Sequence, residues 1–402
     1  MATRSYPGSK KKVLIALVFC ILILLSVLLI YNPQFIKIVY YQKPEVDTFK
    51  EFPVREMDAS TDTWLFPIDT SKSQSKLIES FLVKNGEGKN LQFSEYFEKG
   101  SLLAFLIIKD DTIVYEKYSR GFSRETLSNT FSIGKSMISI LVGKAIDLGY
   151  IANTDQKIIE FLPEFENVPN FDKITIEDLL NMKSGLKFSR VGDGAISDLF
   201  SDEARLFYTS NLKRDLLKVE AETLPNTRWN YSNIDALILT WLLERATSMR
   251  VTDFFEEEIW KPVGAEFKGS WGIDQTNGLE NSSSSFQCTA IDLAKIGRLY
   301  LHRGKRDSIQ IISEKWIERS TIIEKNNLYN TAKGNQLSTH QYYWWLPQKD
   351  CTGDYSAEGL RGQRLYVNPM ENVIIVQFAN SGFGGYPYRT ISKKVSDINF
   401  KR

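Results

Sequence analysis

The hydrophobic pattern opens with one unbroken run. From Val13 to Tyr31 the chain is apolar and uncharged, with Arg4, Lys10, Lys11 and Lys12 just before it. That is close to the length a helix needs to cross a bilayer. The bias of basic residues toward the cytoplasmic side puts residues 1–12 in the cytoplasm and everything after 31 across the membrane, on a periplasmic or extracellular face. No small-x-small cleavage site follows the run, which favours an uncleaved anchor over a signal peptide. From 32 to 65 charges are mixed and Pro33, Pro44 and Pro53 interrupt the chain, the pattern of a juxtamembrane linker. The domain proper is expected over 66–402.

Within that domain a polar helical stretch spans about Ser71 to Lys84. Leu102 to Ile108 is a short apolar run, Lys109 to Thr112 an Asp-rich turn, and Ile113 to Tyr118 a second run, together predicting a β-hairpin. A buried helix is predicted from Ser132 to about Leu148, within a helix-rich middle that reaches Gly272. Further helices are predicted at Ala290 to His302 and Ile312 to Ser320, with strands between Tyr342 and Ala379. Strands toward both ends with helices between them imply an α/β (α+β) fold, one antiparallel sheet built from both chain ends with a helical subdomain inserted. Tyr342 to Trp345 reads as core, Ser282 to Ser285 as a low-complexity surface loop, and Asn380 to Gly385 as a loop near any cleft. The stretch from Lys187 to Thr223 carries no readable signal.

Composition removes several classes of function. A net charge of +1 over 402 residues, with no basic stripe, argues against a nucleic-acid partner. Two histidines and three cysteines without a Cys-x-x-Cys pair give no zinc site, and no cofactor is expected. Cys20 reads as a plain apolar residue of the first run. Export permits a bridge between Cys288 and Cys351, although buried thiols are the preferred reading. His302 falls at a helix end beside Arg303-Gly304, where surface capping explains it. A phosphate loop ending at Gly134-Lys135-Ser136 would need glycine where Asn129 stands. There is no Gly-x-Ser-x-Gly elbow.

The chemistry concentrates at Ser132-Ile133-Gly134-Lys135. Positions i and i+3 of a first helical turn share a face, so a hydroxyl and an amine meet there. A serine is a weak nucleophile until an adjacent base takes its proton, and burial lowers a lysine's pKa toward that role. The helix N-terminus adds N–H groups and positive potential where an oxyanion would form. Tyr231-Ser232-Asn233 sets a hydroxyl and an amide two positions apart on an extended loop, suited to moving a proton and orienting an ester or amide. In Ala357-Glu358-Gly359-Leu360-Arg361-Gly362-Gln363, a small residue and two glycines beside a strand let a substrate approach the backbone closely.

The order and spacing of these three elements resemble the serine β-lactamase and penicillin-binding-protein superfamily, in its class C-like branch of esterases and 6-aminohexanoate-oligomer hydrolases. Ile176 to Leu186, Leu148 to Ile151, Ile159 to Phe165 and Leu293 to Leu301 resemble other segments of that family, and the likeness covers about residues 65 to 395. It implies a β-lactamase-like fold in which Ser132 is acylated, Lys135 and Tyr231 share the proton transfers, and Asn233 holds Lys135 or the substrate. It implies an oxyanion hole made by the N–H groups of Ser132 and Leu360, beside Gly359. Two positions depart from the family pattern. Ala357 stands where many relatives carry a lysine that binds a substrate carboxylate, which favours a small-molecule or peptide-like ester or amide over a β-lactam or wall peptide. Arg361 is expected as a solvated surface arginine, and Glu358 is expected to point away from the site by strand alternation. Asn226 stands where relatives often have glycine, and asparagine tolerates the left-handed backbone. The alternatives are a D,D-peptidase or β-lactamase-like enzyme on cell-wall peptides, and a non-catalytic scaffold or sensor of the same fold. The oligomeric state is not readable.

Overall fold

The computed structural model describes residues 7–31, 34–41, 44–71, 73–85, 87–190, 200–323, 338–347, 353–381, 391 and 394–395. They form two units, Met1–Pro44 with Ser189–Ser210, and Glu45–Phe188 with Asn211–Arg402.

In the first unit, helix α1 covers Pro7–Tyr31, 25 residues. Its described side chains run unbroken only from Lys11 to Val27, and among the described residues no helix is long and apolar enough to cross a membrane. The expected span is therefore not established by the structure. Helix α2, Phe35–Tyr41, packs on the helix Asp202–Tyr208. Phe35 stacks on Phe200 at 5.8 Å and Tyr41 on Tyr208 at 5.9 Å.

The second unit is ordered by two antiparallel sheets. In chain order its main elements are β1 (Val54–Met57), α3 (Ser73–Ser80), α4 (Phe93–Lys99), β2 (Leu102–Lys109), β3 (Thr112–Tyr118), β4 (Ser128–Asn129), α5 (Ile133–Asp147), α6 (Asn233–Thr247), β5 (Gly269–Gly272), β6 (Phe286–Cys288), α7 (Ala290–Leu301), α8 (Glu314–Thr321), β7 (Ser338–Gln341), β8 (Trp344–Pro347), β9 (Tyr355–Gly359), β10 (Gln363–Asn368) and β11 (Val373–Ala379). The large sheet has the order β7-β8-β9-β10-β11-β2-β3, and a four-stranded sheet has the order β1-β5-β6-β4. The first hairpin thus joins the last strands, as the sequence pattern implies.

Helices cover both faces of the large sheet. On one side Phe93 and Phe97 of α4 meet Phe105, Ile107, Tyr115, Tyr366 and Ile375 in one apolar cluster. On the other, α7 lies so close that a Cβ on Gly297 would stand 2.8 Å from Ile374 and 2.9 Å from Leu365. Pleat alternation separates these two sets of strand residues. The β2–β3 turn is made by Asp110 and Asp111, both at positive φ (49° and 57°), which short polar residues accept. Asp111 accepts from Arg298 and His302 on the α7 side, with His302 Nε2 at 2.9 Å. His302 therefore ties the helix end to the hairpin, where simple surface capping was expected. Those contacts outweigh the cost of partial burial and hold the Asp111 carboxyl below its usual pKa.

Other expectations are corrected. The polar helix stops at Ser80, because Leu82–Lys84 pairs as a strand with Asn90–Gln92. The expected linker 32–65 contains β1, which pairs with β5, and Ser60 and Trp64 donate to Ala265 and Gly264. Tyr342 and Tyr343 do not extend a strand. They form the β7–β8 turn at φ 46° and 68°, with both rings buried. The Ser282 to Ser285 run is not a surface loop: all four residues are buried, their hydroxyls taken up by groups such as Thr240 and Asn281. Cys288 is a buried free thiol, its pKa pushed up by burial. Cys351 and Gly382 to Gly385 lie outside the described residues.

Candidate active site

Ser132 is the N-cap residue of α5, yet its side chain makes no cap bond, so the hydroxyl remains available for chemistry. Phe131 before it sits at φ 50°, a costly backbone state for an aromatic residue. It is stabilised by an N–H bond to Asn129 Oδ1 at 3.2 Å and by full burial of the ring. The first turn of α5 carries no acidic residue, leaving the positive helix end unopposed beside the hydroxyl.

Lys135, one turn along, is 1% exposed. Its Nζ donates to Ser132 Oγ at 3.1 Å and to the carbonyl oxygen of Ser283 at 2.6 Å. The buried amine is thus satisfied by the nucleophile and by one fixed backbone dipole. The serine loop comes this close because residue 134 is glycine: a Cβ there would lie 2.5 Å from Ser282 O.

Tyr231 arrives on the loop before α6. Asn226 makes the turn upstream at φ 58°, as expected of asparagine, and is pinned by Lys183 through a side-chain bond of 3.2 Å and a backbone bond of 2.8 Å. The Tyr231 ring lies under Lys135 Nζ, 5.0 Å from its centroid. Ser232 caps α6 through its hydroxyl, which accepts from Ile234 N at 3.1 Å. Asn233 follows as the first residue of that helix, 5% exposed.

The third element meets the nucleophile segment through Gly359. A Cβ there would stand 2.1 Å from the carbonyl oxygen of Thr130, so only glycine lets β9 approach so near Ser132. The chain then turns at Leu360. Ala357 is fully buried and pairs with Leu365, offering no charge. Glu358 lies on the opposite face of the strand, paired with Arg364 at 3.1 Å. Arg361 is not the solvated residue expected: its guanidinium is paired with Glu45 at 2.7 Å and donates to Asn380 O at 3.1 Å.

Three groups at this site were not anticipated. Ser283 contributes a backbone carbonyl, which no side-chain motif announces. Trp345, expected as core, is half-buried and stacks on Tyr231 at 5.9 Å and 21°. His340 is 1% exposed and meets the Tyr231 ring edge-on at 5.7 Å. Burial first, and then the charge of Lys135, press its pKa down to about 3, so it is a neutral imidazole. Behind the loop, Asp235 is fully buried and accepts from Ser184 Oγ at 2.8 Å. Burial outweighs its hydrogen bonds and lifts that carboxyl's pKa to about 8. Among the described residues no cluster of side chains could hold a metal ion.

Comparison with known proteins agrees with this geometry. The beta-lactamase family model matches residues 101–392. A 6-aminohexanoate-dimer hydrolase of Paenarthrobacter ureafaciens is 24% identical over 288 residues, covering 69% of this chain and 72% of the relative. Among solved structures, a Bacillus anthracis protein assigned as a 6-aminohexanoate-dimer hydrolase superposes with a TM-score of 0.73 at 19% identity, over 85% of this chain and 89% of that one. A family VIII carboxylesterase gives 0.57 at 17% identity, over 76% and 95%. With Lys135 in contact with both Ser132 and the Tyr231 ring in this fold, the chain belongs to the beta-lactamase family and is a serine hydrolase of the Ser-x-x-Lys type.

Proposed function

We propose that the protein is a membrane-anchored hydrolase that cleaves a neutral ester or amide through an acyl-enzyme on Ser132. The observation that carries this reading is the 3.1 Å contact between Lys135 Nζ and Ser132 Oγ in a buried setting. In the first half-reaction Ser132 Oγ bonds to the substrate carbonyl carbon while its proton passes to the Lys135–Tyr231 pair. The N–H groups of Ser132 and Leu360 hold the oxyanion, donors of a kind worth about 10²–10³ in rate. The carbon–leaving-group bond then breaks, and the departing alcohol or amine takes the proton. Water then gives a proton to the same pair and attacks the acyl carbon; the bond from that carbon to Ser132 Oγ breaks, Oγ takes the proton back from the pair, and the carboxylic acid product leaves. Asn233 orients the substrate or Lys135 from the start of α6.

Ala357 and Arg361 support the choice of substrate. The first has no charge and the second is neutralised by Glu45, so neither offers a cation to a substrate carboxylate. The anchor reading rests on the uncharged run from Val13 to Tyr31 and on the exposed apolar side chains of α1 such as Leu14, Phe19 and Leu24. It leaves residues 1–12 in the cytoplasm and the catalytic body across the membrane.

The test uses the full chain in detergent with three substrates: a p-nitrophenyl ester, a 6-aminohexanoate dimer and a penicillin. Turnover of the ester or the amide that is lost in Ser132→Ala is expected. Turnover of penicillin alone would replace this reading with the wall-peptide one. Release of the protein from membranes by alkaline carbonate would remove the anchor.

A further inference from the structure

Tyr231 has to keep its hydroxyl aimed while its loop, unlike α5, offers no regular backbone to hold it. Its ring packs against Lys135 Nζ over the face at 5.0 Å, Trp345 stacked at 5.9 Å, His340 edge-on at 5.7 Å and 76°, and Trp229 tilted at 6.4 Å. His340 in turn is wedged among three further rings, Trp345 at 4.8 Å, Trp229 at 5.9 Å and Tyr343 at 5.9 Å. Its Nδ1 is buried and has no hydrogen-bond partner among the described residues. A buried nitrogen left unbonded costs free energy, so it is the shape and edge of the ring that recommend the residue here. Edge-to-face pairs of this kind contribute about 0.5–1.5 kcal/mol beyond area burial.

We propose that His340 is a positioning residue for catalysis: its ring locks the Tyr231 ring against Lys135. The inference rests on the reading of Tyr231 as a proton-transfer group. The groups that face His340 are Lys135 from α5, Tyr231 and Trp229 from the loop before α6, and Tyr343 and Trp345 from the β7–β8 turn and β8. An imidazole kept neutral among them adds no second cation beside Lys135. It keeps an aromatic edge toward the tyrosine.

The test compares His340→Phe, His340→Leu and His340→Ala in the full chain. Two readouts are used: kcat and KM on the best neutral substrate, and the ¹⁹F resonance of 3-fluorotyrosine encoded at position 231. Misplacing a catalytic group by about 1 Å can cost about 100-fold. The alanine and leucine variants are therefore expected to lose about 10- to 100-fold in kcat, with KM within about threefold, and to broaden or split the resonance. Phenylalanine, which restores an aromatic edge, is expected to recover most of the rate and the sharp line. If alanine does not fold, leucine carries the comparison. A sharp, unshifted resonance with unchanged kcat in the leucine variant would overturn the proposal. So would a phenylalanine variant as slow as leucine, because the nitrogen rather than the ring edge would then matter. The resonance reads the ring's position without turnover. A wild-type protein with a sharp line and no Ser132-dependent activity would therefore count against the hydrolase reading and not against this contact.

Discussion

Lys135 Nζ donates to the carbonyl oxygen of Ser283 at 2.6 Å. That bond joins the nucleophile helix to a run of four serines whose composition suggests only a solvated loop. The carbonyl is a fixed backbone acceptor, and it holds the amine beside Ser132.

Replacing Lys135 separates this chemistry from folding. Lys135→Ala is expected to lower kcat/KM by about 10²–10⁴, the range for a general acid–base group. Stability should fall by about 1–3 kcal/mol, because the Ser283 carbonyl is left buried and unbonded. Lys135→Arg should be equally inactive, since a guanidinium does not deprotonate. Steady-state kinetics beside thermal melts check both values. Activity within about tenfold of wild type for alanine would remove Lys135 from the proton path.

Gly134→Ala places a methyl 2.5 Å from Ser282 O, a backbone atom that cannot rotate away. The serine loop must retreat, taking the Ser283 carbonyl from Lys135. A loss of about 1–3 kcal/mol is expected from overpacking, together with a fall in kcat that substrate saturation does not restore. A variant with wild-type kcat would show that the loop contact is dispensable.

Gly359→Ala tests the other wall. Its Cβ would stand 2.1 Å from Thr130 O, forcing β9 away from the Ser132 segment and, on the proposed mechanism, drawing the Leu360 N–H out of reach of the oxyanion. A drop in kcat of up to about 10²–10³ is expected. Affinity for a boronic acid, which mimics the tetrahedral intermediate, should fall with it. Unchanged boronate affinity would place the oxyanion elsewhere.

Much of this was legible from residues alone. The hairpin, α5 and the left-handed Asn226 follow from local pattern: apolar runs, Asp-rich turns and the conformational tolerance of asparagine. What escaped depends on tertiary context. Ser282 to Ser285 is buried, with the Ser282 hydroxyl against Thr240 of α6, a partner distant in sequence, and the hydroxyls of Ser283 and Ser284 turned onto neighbouring Asn281. Tyr342 and Tyr343 favour a strand by propensity, but the sheet needs a tight turn there, and burial of both rings stabilises the left-handed backbone. No local pattern marks His340. Its place beside Tyr231 comes from the pairing of β7 with β8, which no motif encodes. The β1 strand hid in a segment whose prolines resemble a linker.

Two buried groups near the site contribute opposing terms to the pH dependence of stability. The Asp235 carboxyl has its pKa raised to about 8 in the fold, against about 3.9 when unfolded. Between those values the folded state holds more protons, so stability declines as pH rises through the window. His340, lowered to about 3 from about 6.5, has the opposite sign: its contribution is lost as pH falls. The two slopes oppose below about pH 6.5, and above it the His340 term is gone while the Asp235 slope continues to about pH 8. The Asp235 term is therefore expected to lower the melting temperature of wild type between about pH 6.5 and 8, and this fall should flatten in Asp235→Asn. Parallel curves would contradict the assignment.

The most direct measurement is covalent labelling of the full chain with a fluorophosphonate, the modified residue being located by peptide mass spectrometry. Labelling at Ser132 in wild type is predicted, absent in Ser132→Ala and strongly slowed in Lys135→Ala. A folded wild-type protein that takes no label at Ser132, or that labels equally fast without Lys135, would contradict the account of an activated serine at the head of α5.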